Sequence, residues 1–272
     1  MLLAILLVIG LTKAEIEYVT YETEQGDVRG IVRQARSRRQ FHAFLGIPYA
    51  QPPLETLRWM PPTKAPKWEG TFDASKTANV CAQDKVYHPQ DLKGSEDCLY
   101  LNVFTGGKSK KKQVLFWIHG GAFIFGGADN FGADYIMEED VVLVTVQYRL
   151  NIFGFLSTED ASAPGNYGLL DQIAALKWVQ DNIAAYGGDP DQVTIIGMSA
   201  GGASVHYLTL SPMTKSLYKN AISLSGSALC WWANVPNPNQ KAVALGRFLQ
   251  TNSCTFLRPM QQLASINLMS AR

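Results

Sequence analysis

The stretch VTIIGMSAGGASVHY, Val193 to Tyr207, passes from branched apolar residues to small ones, with Ser199 at the junction between Gly197 and Gly201. The run from Val193 to Gly197 is apolar without alternation, the pattern of a strand covered on both faces. A helix is predicted from about Ala200. A serine between strand and helix, with a glycine two residues before and two after, has the Gly-x-Ser-x-Gly spacing of a nucleophile elbow. There a sharp, strained turn presents the hydroxyl at the end of a sheet, and the flanking glycines leave room for it.

Comparable runs recur at VLFWIH (Val114 to His119), VVLVTVQY (Val141 to Tyr148) and AISLS (Ala221 to Ser225). Between the second of these and Val193, the residues Leu169, Ile173, Leu176, Val179 and Ile183 mark one face of a helix. That helix is predicted to stop at YGGDP, where Gly187 or Gly188 takes a left-handed cap and Pro190 prevents continuation. Strand and helix in alternation predict an α/β fold, with a mostly parallel central sheet and helices on both faces. The N-terminal residues differ: IEYVTYETEQGDVRGIVRQ predicts an antiparallel hairpin with a Gln25-Gly26 turn. The proline-rich PYAQPPLETLRWMPPTKAP (Pro48 to Pro66) predicts an irregular segment hugging the surface. No repeat or linker divides the chain.

Attack on a carbonyl carbon creates an oxyanion, which needs N–H donors already aimed at it. HGGAF, His119 to Phe123, directly follows a predicted strand, and its glycines let amides face a ligand without a Cβ in the way. Gly120, Gly121 and the amide of Ala200 are the predicted donors.

With 272 residues, 47% hydrophobic and 17% charged, the composition is globular. A net charge of +1 gives no case for a nucleic-acid or membrane-surface partner. The basic clusters Arg33 to Arg39 and Lys108 to Lys112 read as solvated turns, with Arg36 to Arg39 also a candidate processing site. Met1 to Ala14, MLLAILLVIGLTKA, has an apolar run about half the roughly 20 residues a spanning helix needs. It is predicted to be a signal peptide cleaved before Glu15, making the chain extracellular without membrane insertion. Secretion allows disulfides among Cys81, Cys98, Cys230 and Cys254, in any of three connectivities. No Asn-x-Ser/Thr acceptor for glycans occurs.

Several segments resemble the type-B carboxylesterase family, which includes cholinesterases and non-catalytic adhesion relatives. They are FLGIPYAQPP (Phe44 to Pro53), EDCLYLNVF (Glu96 to Phe104), WIHGGAF (Trp117 to Phe123), YRLNIFGFLS (Tyr148 to Ser157), Asn166 to Pro190, GMSAGGASVHYLTLSP and AISLSGSAL. The resemblance implies an α/β-hydrolase fold, represented by the N-terminal portion from residue 15 to 272, with the C-terminal part of the fold missing. It implies a serine carboxylesterase acting on small-molecule esters without cofactor or metal. Ser199 would be the nucleophile, and Gly120, Gly121 and Ala200 the oxyanion hole. Cys81 would join Cys98, leaving Cys230 with Cys254 by elimination. Trp232 would line the acyl pocket and Ser225 would stand near the catalytic acid. Met198, Tyr186, Gly106 and Trp231 depart from the commoner family residues.

In this fold the catalytic acid and histidine follow the serine in the chain. After Ser199 the only histidine is His206, and no Asp or Glu follows Asp191. His206, seven residues along the helix and so about 10 Å up its axis, is predicted to be a packed residue. His119 is assigned a structural part beside the oxyanion loop, and His42 and His88 none. The acid and the base are therefore expected to be absent from these residues.

Overall fold

A computed structural model describes residues 16–85, 88–109 and 111–248. The predicted signal peptide and Cys254 lie outside the described residues. The chain opens with strands β1 (Tyr18–Thr23), β2 (Gly26–Gln34), β3 (Gln40–Pro48) and β4 (Thr71–Asp73). Strands β5 (Gln83–Lys85), β6 (His88–Lys93), β7 (Tyr100–Thr105), β8 (Lys112–Ile118) and β9 (Val142–Val146) follow. Then come α1 (Asn151–Phe155), α2 (Tyr167–Asn182), β10 (Gly188–Met198), α3 (Ala200–Leu210), β11 (Asn220–Leu224) and α4 (Pro238–Phe248).

The main sheet runs β1-β2-β3-β7-β9-β8-β10-β11, with β4 beside β2. Along the path from β1 to β9 the ladders are antiparallel, those joining β9, β8, β10 and β11 are parallel, and β4 runs parallel to β2. The parallel part is thus narrower than the sequence predicts. Its limit follows from the connections, because parallel neighbours need a long crossover whereas β1 and β2 need only the turn at Glu24 and Gln25, closed by the Thr23–Gly26 pair.

Crossover direction decides the layers. From β8 to β9 the chain steps one way across the sheet, and from β9 to β10 and on to β11 it steps back. Right-handed crossovers then put the β8–β9 connection on one face and α2 and α3 on the other. On the helical face, Ile173, Leu176, Val179 and Ala203 pack with Val114, Phe116, Ile118 and Ile195. On the opposite face, Ala133 and Met137 of the connection pack on Ala43, Leu45, Phe104 and Leu143. Among the described residues the β8–β9 connection forms a single 3-10 turn, Ile136–Glu138, on this face, where the other face carries α2 and α3. Its glycine-rich start is committed to a loop. Beside it Leu115 and Trp117 are half-buried, while Ile222 and Leu224 on edge strand β11 are exposed.

The predicted helix stop is found at Gly187, which is left-handed at φ 84°. Pro190 lies inside β10, where the register shifts between Gly188 and Val193 and the missing N–H costs no ladder bond. Pro48 to Pro66 does more than hug the surface. Trp59 is buried, stacks 6.3 Å from Phe153 and donates through Nε1 to the carbonyl of Ile152 at 2.8 Å. Buried Arg58 pairs with Glu96. The basic turn at Arg33 to Arg39 is likewise docked rather than free. Arg33 and Arg39 pair with Asp134 and Asp140, and Arg39 also donates to the Glu138 carbonyl at 2.7 Å. No helix among the described residues is long and apolar enough to cross a membrane.

Candidate active site

Ser199 sits between β10 and α3 with φ 57° and ψ −120°, a strained conformation for a residue with a Cβ. The surrounding backbone holds it there: the Ser199 N–H donates to the Leu224 carbonyl at 2.8 Å, and the Ala203 N–H donates to the Ser199 carbonyl at 2.9 Å. Gly201 packs against the Ile118 carbonyl so closely that any side chain would overlap it. Such strain costs about 1–3 kcal/mol, and glycine removes it at an entropic cost of about 0.5–1 kcal/mol. Ser199→Gly is therefore expected to unfold at a higher denaturant concentration than Ser199→Ala, which keeps the strained Cβ. Equal midpoints would show that the turn stores no strain.

The predicted oxyanion donors meet at the carboxyl ends of neighbouring strands β8 and β10. A methyl group on Gly120 would stand 3.1 Å from the Ser199 Cβ, so the loop after β8 touches the elbow after β10. Ala200 is the first residue of α3, and its N–H has no carbonyl one turn back to bond. Gly121 has φ 114°, and its carbonyl accepts from the N–H groups of Ile124 and Phe125, both at 3.0 Å. The loop thereby closes on itself and leaves its first amides at the strand ends. Reversal of strand order around β8 makes this a topological switch point, where open α/β sheets bind ligands.

His119 is fully buried; its Nδ1 lies 2.8 Å from the Gly120 carbonyl and so carries the proton. Its ring stacks on Tyr148 with centroids 4.4 Å apart, and the Tyr148 hydroxyl donates to the His119 carbonyl at 2.8 Å. Burial lowers its pKa to about 4, against a smaller upward pull from the Gly120 carbonyl. A buried, neutral imidazole already bonded to backbone is a structural group, not a base. The unfolded chain takes up this proton near pH 6.5, whereas the fold resists until about 4. Stability should therefore fall as the pH drops through that window, by at most about 1.4 kcal/mol per unit. His119→Asn should lack this slope in denaturant titrations, and an unchanged slope would assign it to another group.

His206 Nδ1 accepts from the Ala228 N–H at 3.2 Å and lies 3.0 Å from Ser227 Oγ, which ties α3 to the loop after β11. His42, on β3, is bonded to the Tyr21 hydroxyl at 2.8 Å. His88 lies in β6. Neither β3 nor β6 borders β10.

Trp232 is half-buried against the core with its ring 6.4 Å from Phe123, whereas Trp231 is 89% exposed. Ser225 follows β11, directly beyond the Met198–Leu224 pair, and so stands beside Ser199. Cys81 and Cys98 are disulfide-bonded. Cys230 is half-buried and bonds to no described cysteine. Sequence reasoning missed Phe123 as the neighbour of Trp232. It also missed Gln83, whose side chain reaches the loop after β8; nothing around Gln83 signals this except its nearness to Cys81.

The carboxylesterase family model matches residues 17–272. The chain is 45% identical over 234 residues to venom carboxylesterase-6 of Apis mellifera, covering 84% of this chain and 42% of that one. It is 45% identical over 235 residues to juvenile hormone esterase of Tribolium castaneum, covering 83% and 40%. Among solved structures, juvenile hormone esterase from Manduca sexta, crystallised with OTFP covalently attached, superposes with a TM-score of 0.88 at 34% identity. That match covers 94% of this chain and 51% of the other. The chain thus spans about half the length of the relatives it matches. With the family model matched over residues 17–272 and relatives 45% identical over more than four fifths of its length, the chain belongs to the carboxylesterase family.

Proposed function

We propose that these residues supply the nucleophile and the oxyanion hole of a secreted carboxylic ester hydrolase. Ser199 Oγ attacks the carbonyl carbon of a small-molecule ester. The amides of Gly120, Gly121 and Ala200 hold the oxyanion, the alcohol leaves, and water releases the acyl group from Ser199. Trp232 and Phe123 wall the acyl side. The observation that supports this reading is the close approach of Gly120 to the strained Ser199 turn, as one carbonyl carbon shared by nucleophile and donors would require. A general base and its orienting carboxylate have to come from outside the described residues, because His119 is sealed and His206 is spent on the loop after β11.

The test compares two chains on a panel of activated and aliphatic esters. Residues 1–272 alone should hydrolyse them no faster than their Ser199→Ala variant, since base assistance is worth about 10²–10⁴ in rate. The chain continued through a family C-terminal half should show Ser199-dependent turnover. Its secreted form should begin at Glu15. Robust Ser199-dependent activity of residues 1–272 would place a base among them. A continued chain that folds and is secreted yet turns over no ester would make the protein a non-catalytic ligand-binding member.

A further inference from the structure

We propose that Gln83 is a positioning residue for the oxyanion hole, bracing the loop after β8 through Gly126 and coupling that loop to the Cys81–Cys98 disulfide. The inference rests on the esterase reading of Ser199 and its donors. Gln83 is buried, and each polar atom of its amide is engaged. Nε2 donates to the Gly126 carbonyl at 2.8 Å and to the Cys81 carbonyl at 2.9 Å, while Oε1 accepts from the Gly126 N–H at 2.9 Å. A primary amide carries its donor and its acceptor on separate atoms, so it can bond the C=O and the N–H of one residue at the same time.

Gly126 is the point where such a grip controls the donors. Its φ is 126°, open to glycine, and a methyl group there would run into the His119 ring and the Gly120 carbonyl. The Gly126 backbone therefore lies against the groups that orient the Gly120–Gly121 peptide. His119 Nδ1–H pulls the Gly120 carbonyl to one side of that peptide. In a trans peptide the Gly121 N–H then points to the other side, away from His119. A shift of Gly126 moves the imidazole, and the imidazole turns the peptide that carries the donor. At the other end, Gln83 is anchored two residues beyond Cys81, whose bond to Cys98 fixes the start of β5 against the residue before Leu99. The chain of contacts is disulfide, Gln83, Gly126, His119 and Gly120, Gly121 N–H.

Oxyanion donors act on the transition state, so loosening the brace should lower kcat and leave KM nearly unchanged. The experiment uses the chain continued through a family C-terminal half. It compares wild type with Gln83→Leu and with Gln83→Glu, which keeps the length and acceptor but loses both N–H donors. Expected is a fall in kcat of about 10-fold to 100-fold, less than the loss of a whole donor, with KM within about two-fold. In parallel, amide hydrogen exchange should quicken in residues 120–127 and stay unchanged in α2. The double variant Cys81→Ser/Cys98→Ser should lower kcat in the same way, and adding Gln83→Leu to it should cost less than Gln83→Leu costs alone.

Unchanged kcat and unchanged exchange in residues 120–127 would overturn the proposal. So would exchange that quickens equally in α2, or failure of both Gln83 variants to fold, because Gln83 would then be a general stability group. If the wild type shows no Ser199-dependent turnover, the esterase reading fails. The exchange pattern still decides whether Gln83 braces the loop.

Discussion

Ser199→Ala, made in the chain continued through a family C-terminal half, is expected to cut kcat by at least about 10⁴ and leave the fold intact. Loss of a serine nucleophile in a comparable triad costs about 10⁶, because base, orienting acid and nucleophile act as one unit. The residual rate is expected to be the contribution of the proposed donors, the amides of Gly120, Gly121 and Ala200. The hydroxyl is not needed for the turn: the Ser199 N–H and carbonyl, bonded to Leu224 and Ala203, hold the elbow. Circular dichroism and the unfolding midpoint should therefore match wild type. A residual kcat within about ten-fold of wild type would show that the chemistry does not pass through this hydroxyl.

The second large effect is on stability. Arg149 and Asp171 form an ion pair with side chains 3% and 0% exposed. The Asp171 carboxylate accepts from Arg149 N at 3.0 Å, Nε at 2.8 Å and Nη2 at 2.7 Å. Asp171→Leu would strand a guanidinium in the core and is expected to destabilise the protein by about 3–5 kcal/mol in denaturant titrations. The double change Arg149→Met/Asp171→Leu leaves no unpaired buried charge at this site and should be much less damaging. The effect has a route to the site: after Arg149 the chain turns into α1, and the Asn151 N–H donates to the Phe123 carbonyl at 2.7 Å in the loop after β8. A loss below about 1 kcal/mol in Asp171→Leu would mean that water reaches Arg149.

The features that the sequence announced are local ones. Val193 to Gly197 declares a buried strand by being apolar throughout, Leu169 to Ile183 declares a helix face by its spacing, and Ser199 between glycines declares the elbow. Each of these is written within one element and survives in the fold. Trp59, in contrast, stands in a proline-rich stretch that reads as surface. Its burial depends on Phe153 and the Ile152 carbonyl, far along the chain. The covering of Leu115 and Trp117 by a loop rather than a helix follows from the direction in which β8 connects to β9, a property of strand order that no single segment carries. In the candidate site, the positions of Ser199, Gly120, Gly121 and Ala200 at strand ends are legible because turn and strand-end patterns are local. The contact of Gln83 with Gly126 is not, because its partner is brought to it only by folding.

The most direct test of the central claim is to trap the acyl group. The chain continued through a family C-terminal half would be mixed with an activated ester whose acyl group leaves slowly, quenched in acid and analysed by peptide mass. Expected are the mass of one acyl group on the peptide containing Ser199, none in Ser199→Ala, and a burst of alcohol equal to the enzyme present. Turnover with the acyl group on another residue, or with no acyl-enzyme and no burst on any ester that is hydrolysed, would contradict the claim.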